Sequence, residues 1–504
     1  MKLIYLPEPE LLFGHNQSVE DPRDGLSLFG PLDQGKPYGI RSGVIGTPRG
    51  IQLFKDWLVK IQNPIGKDLE VARPVYPGFE AIFGIPWNPK PALEVEIPDA
   101  AIKRTIYLDD KYLRVYRTVE LFEERIISTI KQEDSTVDIW FVIIPDDVYK
   151  YGRPLSQVAP TQRIEATAKL KPSYAKKLIT QQPLFPEDKQ AAKPYHYDVN
   201  FHNQLKAKLL EYNVPIQIIR EGTLIDIKYT SPVFNAERNL KSASARSAAI
   251  AWNLSTTTFY KAGGRPWKLS GIREGVCYIG LAFKRDEKSP DPRSSCCAAQ
   301  MFLDSGDGVV FKGAVGPWYK MKRGDYHLTQ KAAKELIQMG ISSYKEKTGR
   351  SPTEVFLHGK IRFDYNEWLG FQEGNTANTR LVGVRIREND DLRLYRNSEY
   401  PTLRGMSLIE DEKTAHLWTR GFVPRLQTFA GKEVPRPLSI EICRGDSDIS
   451  VVLKDILALT KLNYNTCIYA DGPPVTLKFA DAVGEILTAG PMKTVPPLSF
   501  KFYI

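Results

Sequence analysis

The stretch that most constrains the fold is Val137–Ile144, VDIWFVII, an almost unbroken apolar run closed by Pro145. A strand with one wet face alternates polar and apolar residues. A run that does not alternate belongs to an interior strand covered on both sides, the habit of parallel sheets flanked by helices. The surrounding sequence supplies those helices. Gly50–Ile61 carries Ile51, Phe54, Leu58 and Ile61 at three- and four-residue steps, and Val119–Ile130 repeats the pattern. Ile40–Gly46 and Pro215–Ile219 read as further short strands, and Asn200–Tyr212 as a helix. An Ala- and Thr-rich helix spans about Ala243–Tyr260 and stops at Gly263-Gly264. The expected architecture of this half is a Rossmann-like α/β layer. Residues 152–197, with six prolines and scattered Lys and Gln, predict an extended insertion.

After residue 264 the order changes. Val276–Phe283, Ser295–Leu303 and Val309–Gly313 predict three consecutive strands with short turns. A helix at Thr329–Tyr344, a strand at Val355–His358, and strands at Leu381–Arg387, Arg393–Arg396 and Leu438–Cys443 follow. Helices at Ile449–Leu462 and Val475–Leu487 close the chain. An antiparallel ribbon followed by strand–helix units is the order of a ribonuclease-H-like fold. The expected division is an irregular lead-in with short strands at 1–36, a first domain at 37–264 and a second at 265–504, which suits a chain of 504 residues.

Lys plus Arg total 69 against 59 Asp plus Glu, a net charge of +10 that permits a phosphate-rich partner without requiring one. Five cysteines, with Cys296 and Cys297 adjacent and no CxxC spacing, fit neither a disulfide framework nor a zinc site, and suit a reducing cytoplasm. No stretch approaches the ~18 apolar residues of a membrane span, and the N-terminus is a poor signal peptide. P-loop, GxSxG and HExxH patterns do not occur.

His202 and Lys206 stand four apart on one helix face, Gln217 follows on the next strand, and Lys261 ends the long helix. Together they can donate hydrogen bonds and positive charge to an anion. On residue types alone, lysines on solvated helix faces are the commoner explanation. Arg385, Arg387, Arg393 and Arg396 can line a nucleic-acid backbone channel or decorate a wet sheet face. Gly313–Tyr319 and Pro266-Trp267 offer aromatics for stacking on bases or for packing turns. The paired acids Asp286-Glu287 and Asp390-Asp391 read as solvated loops.

The runs HNQLKAKLLEYNVPIQIIRE and AAIAWNLSTTTFYKAGGRPWKL resemble the MID domain of Argonaute proteins. CYIGLAFKR, VFLHGKIRF, ILALTKLNYN and YADGPPVTLKFADAVGEIL resemble their PIWI domain. The resemblance implies that His202, Lys206, Gln217 and Lys261 hold the 5′-phosphate of a guide strand. It also implies that the C-terminal carboxylate of Ile504 ligates Mg²⁺ beside that phosphate. Active PIWI domains carry acidic ligands for two metal ions. At the matching positions this sequence has Ala282 and Lys360, with Asp481 at the last, so the resemblance implies a catalytically inactive domain. It is closest to short prokaryotic Argonautes without N-terminal and PAZ domains. By that resemblance the chain binds a guide RNA, recognises complementary single-stranded DNA, and pairs with a separate APAZ-containing effector. TIR is the favoured effector type, with Sir2-like or nuclease types as alternatives. Target binding then drives oligomerisation and NAD hydrolysis by the partner in antiviral or plasmid defence. The rival expectations are a PIWI nuclease that cuts the target itself and a nucleic-acid-binding scaffold that needs no guide.

Overall fold

The computed structural model describes all residues except 67–73, 134–135, 168, 179–185, 226–235, 272, 286–293, 304–307, 318–325, 377, 430–432 and 492–497. In the first half, four parallel strands stand in the order Leu93–Glu96, Ser42–Gly46, Ile139–Ile144, Ile216–Arg220. All six residues of Ile139–Ile144 are buried. Its odd-numbered side chains join Phe54, Trp57 and Leu58 of the helix Pro48–Lys60. Its even-numbered ones join Val119 and Phe122 of the helix Lys111–Gln132, and Phe201 and Leu205. Both faces are therefore covered, as the apolar run demands. Each of these helices begins on a capping side chain. The Thr47 hydroxyl accepts from Gly50 N–H at 2.8 Å, and the Asp110 carboxylate accepts from Tyr112 and Leu113 N–H at 2.8 and 3.0 Å.

The second half is built on one ten-stranded mixed sheet. Val276–Arg285, Ser294–Leu303 and Gly308–Pro317 form the antiparallel ribbon. Glu354–Gly359 lies parallel to Val276–Arg285 and to Arg380–Glu388, which runs antiparallel to Leu438–Arg444. This is the expected ribonuclease-H-like order. Beyond it the sheet continues through Thr414–Leu417 and Met406–Ile409 to Lys2–Tyr5 at the far edge.

Several expectations need correction. Arg393–Arg396 is not a strand: the Asn389 side chain accepts from the N–H groups of Asp391 and Leu392, and that turn starts a loop. The lead-in holds a helix, Pro22–Phe29, because Asp21 caps it and Pro22 starts it. Residues 152–197 are not uniformly extended. Proline opens two short helices there, Pro172–Lys177 and Pro186–Ala192, and Ala175, Leu178, Ala192 and Tyr195 form a small core. The closing helix is split at Phe479 into Val475–Lys478 and Ala480–Leu487. Asp286-Glu287 and the two aromatics of the run at 313–319, Trp318 and Tyr319, lie outside the described residues. Among the described residues, no helix is long and apolar enough to cross a membrane.

Candidate nucleic-acid interface

Four segments meet along the edge strand Ile216–Arg220 of the first sheet. The long helix Ala236–Lys261 delivers Lys261, then breaks at Gly263, whose φ of +104° suits glycine. Lys261 is buried, and its Nζ donates to Ile216 O at 2.8 Å and to Gln217 Oε1 at 2.7 Å. The helix Phe201–Leu209 places His202 and Lys206 one turn apart. Lys206 Nζ, also buried, donates to the terminal Ile504 O at 2.7 Å and to Tyr503 O at 3.1 Å. The four residues singled out in the sequence and the chain terminus are thus brought together through 298 residues of separation.

The electrostatics are unusual. Burial pushes the Lys206 ammonium down to about 7. Burial, and then the charge of Lys206, hold Lys261 well below the ordinary lysine value. The His202 imidazole is held below the ordinary histidine value, first by the protein enclosing it and then by Lys206. Its edge still meets solvent, because it sits in the wall of a concavity rather than in the core. Lys261 bonds only neutral carbonyl oxygens, and Lys206 bonds a main-chain carbonyl and the chain terminus. Among the described residues, the two buried lysines therefore share at most one anion. Such a cluster is costly when empty and is relieved by a multiply charged anion.

His202 fronts a cleft of about 520 Å³. Ile144, Val148 and Ile218 line its apolar side, and Tyr149 stands at its wall. Arg153 and Arg220 flank that ring with their guanidinium carbons 3.8 and 4.0 Å from its centroid. Sequence reasoning missed this cleft, since Tyr149 and Arg220 lie 71 residues apart. The one available signal was that both follow strand C-termini, where open parallel sheets bind ligands.

The second locus lies where Val276–Arg285 and Glu354–Gly359 run side by side, with His358 opposite Gly280. Gly280 has no room for a side chain: a Cβ there would sit 1.9 Å from Thr476 O. His358 is buried, its Nδ1 is 2.9 Å from Thr476 Oγ1, and burial pushes its pKa down to about 3, so it is a neutral packing residue. Lys360, just past the strand end, donates to Asp481 Oδ2 at 2.5 Å. These side chains are 52 and 56 % exposed. Ala282 is two residues beyond Gly280 on the adjacent strand, opposite Ala298. An alanine, an ammonium and one carboxylate already paired to that ammonium do not fit two divalent cations. Among the described residues, no cluster of three or more Asp, Glu, His or Cys has metal-binding proximity.

Of the arginines, Arg385 and Arg387 share one sheet face, and Arg385 and Arg362 both pair with Glu441, at 2.6 and 2.7 Å. Arg393 instead bonds carbonyls of its own loop. Trp267 is a core residue packed between Phe13 and Tyr464, with its Nε1 on Lys461 O, so it does not offer a stacking face.

No family model matches the chain. The Argonaute protein of Aquifex aeolicus (strain VF5) is 22 % identical over 339 residues, covering 66 % of this chain and 42 % of that protein. Among solved structures, Clostridium butyricum Argonaute bound to a guide DNA and a 19-mer target DNA superposes with a TM-score of 0.64 at 16 % identity. That match covers all of this chain and 55 % of the other. Drosophila Piwi gives 0.57 at 12 % identity, covering 100 and 56 %, and A. aeolicus Argonaute gives 0.53 at 16 %, covering 99 and 54 %. The chain thus has an Argonaute-like α/β fold. It is similar in sequence to an Argonaute and spans about half the length of the proteins it matches.

Proposed function

We propose that the chain is a guide-dependent nucleic-acid sensor, and that the cluster of His202, Lys206, Gln217 and Lys261 holds the guide's 5′-phosphate. The observation that carries this reading is the pair of buried lysine amines which, among the described residues, have only the chain's own terminus as an anion. A terminal phosphomonoester brings close to two negative charges at neutral pH, enough to restore the balance. The adjoining cleft, with its apolar side and Tyr149, is of a size to receive the terminal base. The Ile504 carboxylate is the donor that fits Mg²⁺ here. Bound between carboxylate and phosphate, the ion would offset their repulsion.

On this reading the second half presents the paired strands and does not cut them. The Lys360–Asp481 pair supports that view, since an ammonium stands where a divalent ion would need oxygen ligands. Base pairing then reads sequence while the protein reads shape and charge. The guide is RNA and the target complementary DNA. The response is carried by a separate APAZ-containing effector, a TIR NADase in the first instance, which is switched on when target-bound complexes oligomerise.

The test is to purify the chain, sequence the nucleic acid that accompanies it, and compare its affinity for 5′-phosphorylated and 5′-hydroxyl RNA. A narrow length class with 5′-phosphates supports the sensor. Random fragments, or equal affinity for both ends, favour a scaffold. Incubation with guide, complementary target and Mn²⁺ addresses the nuclease alternative, which cleavage opposite the guide would establish.

A further inference from the structure

The ten-stranded sheet is covered unevenly. One face packs into the main core: Ala415, Ile440 and Ile386 are buried in it, and their neighbour Ile409 packs against it. The other face is covered at one end, where Leu381 lies in a core beneath the helices Gln330–Thr348 and Tyr365–Gly374, and in its middle, where His416 and Ser439 are buried beside Asn389; it opens toward Lys2–Tyr5 and at Arg387. Past that point the register sets a row across five strands: Leu3, Leu408, His416, Ser439 and Arg387. A parallel row holds Thr414, Glu441 and Arg385, while Tyr5 pairs with Met406. Leu3 and Tyr5 are 51 and 53 % exposed, and the loop residue Leu392 roofs only part of this face over a hollow of about 410 Å³.

The face ends on an open edge. Among the described residues, Lys2–Tyr5 pairs with Met406–Ile409 on one side only. In an antiparallel pair every second residue turns its N–H and C=O outward, so this edge displays unmade hydrogen bonds. No proline interrupts the strand.

We infer that this face and edge are the docking surface for a protein partner that adds a strand alongside Lys2–Tyr5 and lays acidic side chains over Arg385 and Arg387. The partner's strand would satisfy the outward backbone groups, as edge addition does elsewhere. Its apolar residues would cover Leu3, Tyr5, Met406 and Leu408. Charge selects the rest: Glu441 alone answers both Arg362 and Arg385, and Arg387 makes no ion pair among the described residues. A nucleic acid cannot pair with a strand edge and gains nothing from aliphatic side chains. A second copy of this chain would set arginines against arginines.

This inference rests on the effector reading above, and the experiment separates the two. The full chain is co-expressed with the APAZ-containing effector, and complex formation is measured for wild type, Leu3→Asp/Tyr5→Asp and Arg385→Glu/Arg387→Glu. Thermal melting and affinity for 5′-phosphorylated RNA serve as folding controls. A wild-type complex that weakens at least tenfold in both variants supports the surface, as does protection of the Lys2–Tyr5 amides from hydrogen exchange in the complex. A wild-type complex that both variants retain, with those amides unprotected, overturns the surface and leaves the effector reading standing. No wild-type complex overturns the effector reading, and the surface with it. A symmetric dimer of this chain abolished by Leu3→Asp/Tyr5→Asp would replace the proposed occupant with a second copy.

Discussion

The two loci of this molecule carry the same kinds of side chain and treat charge in opposite ways. Beside the edge strand of the first sheet, Lys206 and Lys261 are buried against carbonyl oxygens and one chain terminus. At the end of Glu354–Gly359, Lys360 reaches solvent and is answered by Asp481. A neutralised, wet ion pair contributes little and asks for nothing. A dry cluster of like charges is stable only because the fold around it is, and it gains when an anion arrives. Burial, more than the presence of lysine, therefore separates the proposed binding site from a surface here.

The largest effect expected from this contrast is on phosphate recognition. Lys206→Ala with Lys261→Ala should cost at least a hundredfold in affinity for 5′-phosphorylated RNA, at about 1.5–3 kcal/mol for each charge-assisted contact. Affinity for 5′-hydroxyl RNA should change far less. Fluorescence anisotropy with the two oligonucleotides checks this, and an equal loss for both would break the contrast. Next in size is the pH dependence. Lys206 titrates near 7 in the free protein, and a bound dianion raises that value. Binding therefore takes up a proton above pH 7. The preference for a 5′-phosphate should fall as pH rises from 7 to 9, by up to about tenfold per unit for each lysine involved. Below pH 7 the lysine is already charged and its contribution levels off. Calorimetry in buffers of different ionisation enthalpy would count the protons, and no uptake at pH 8 would mean that Lys206 is charged in the empty pocket.

A chelator should weaken 5′-phosphate binding by less than the lysine substitutions, because the ion offsets a repulsion already softened by Lys206. Titration with EDTA and Mg²⁺ checks it. The smallest effect belongs to the second locus. Lys360→Ala should change stability by no more than about 1 kcal/mol, as exposed pairs do. A large drop in melting temperature would show that this pair is structural and would erase the distinction drawn between the two sites.

Periodicity carried most of the fold. The apolar run at 137–144 and the helices around it needed only spacing to be read, since a doubly covered strand has few alternatives. The failures have local causes. Arg393–Arg396 lost its strand to the Asn389 side chain, which competes for backbone hydrogen bonds at short range. Met406–Ile409 and Thr414–Leu417 are four residues each, too short for alternation to register. The residues of the lysine cluster were singled out by the family resemblance, since spacing alone favoured solvated helix faces; the structure places them together. The contact between Lys206 and the chain terminus spans nearly 300 residues and left no trace in spacing. The same distance hid the cleft of Tyr149 and Arg220, and the row from Leu3 to Arg387.

The inward course of Tyr503 and Ile504 has a practical consequence at the bench. Both are buried, with the last carbonyl oxygen against Lys206. A purification tag or fluorescent fusion appended after Ile504 would have to thread peptide through that packing or pull the terminus out of it. Handles for immobilisation belong instead on an exposed loop away from both the terminus and the cleft of Tyr149 and Arg153.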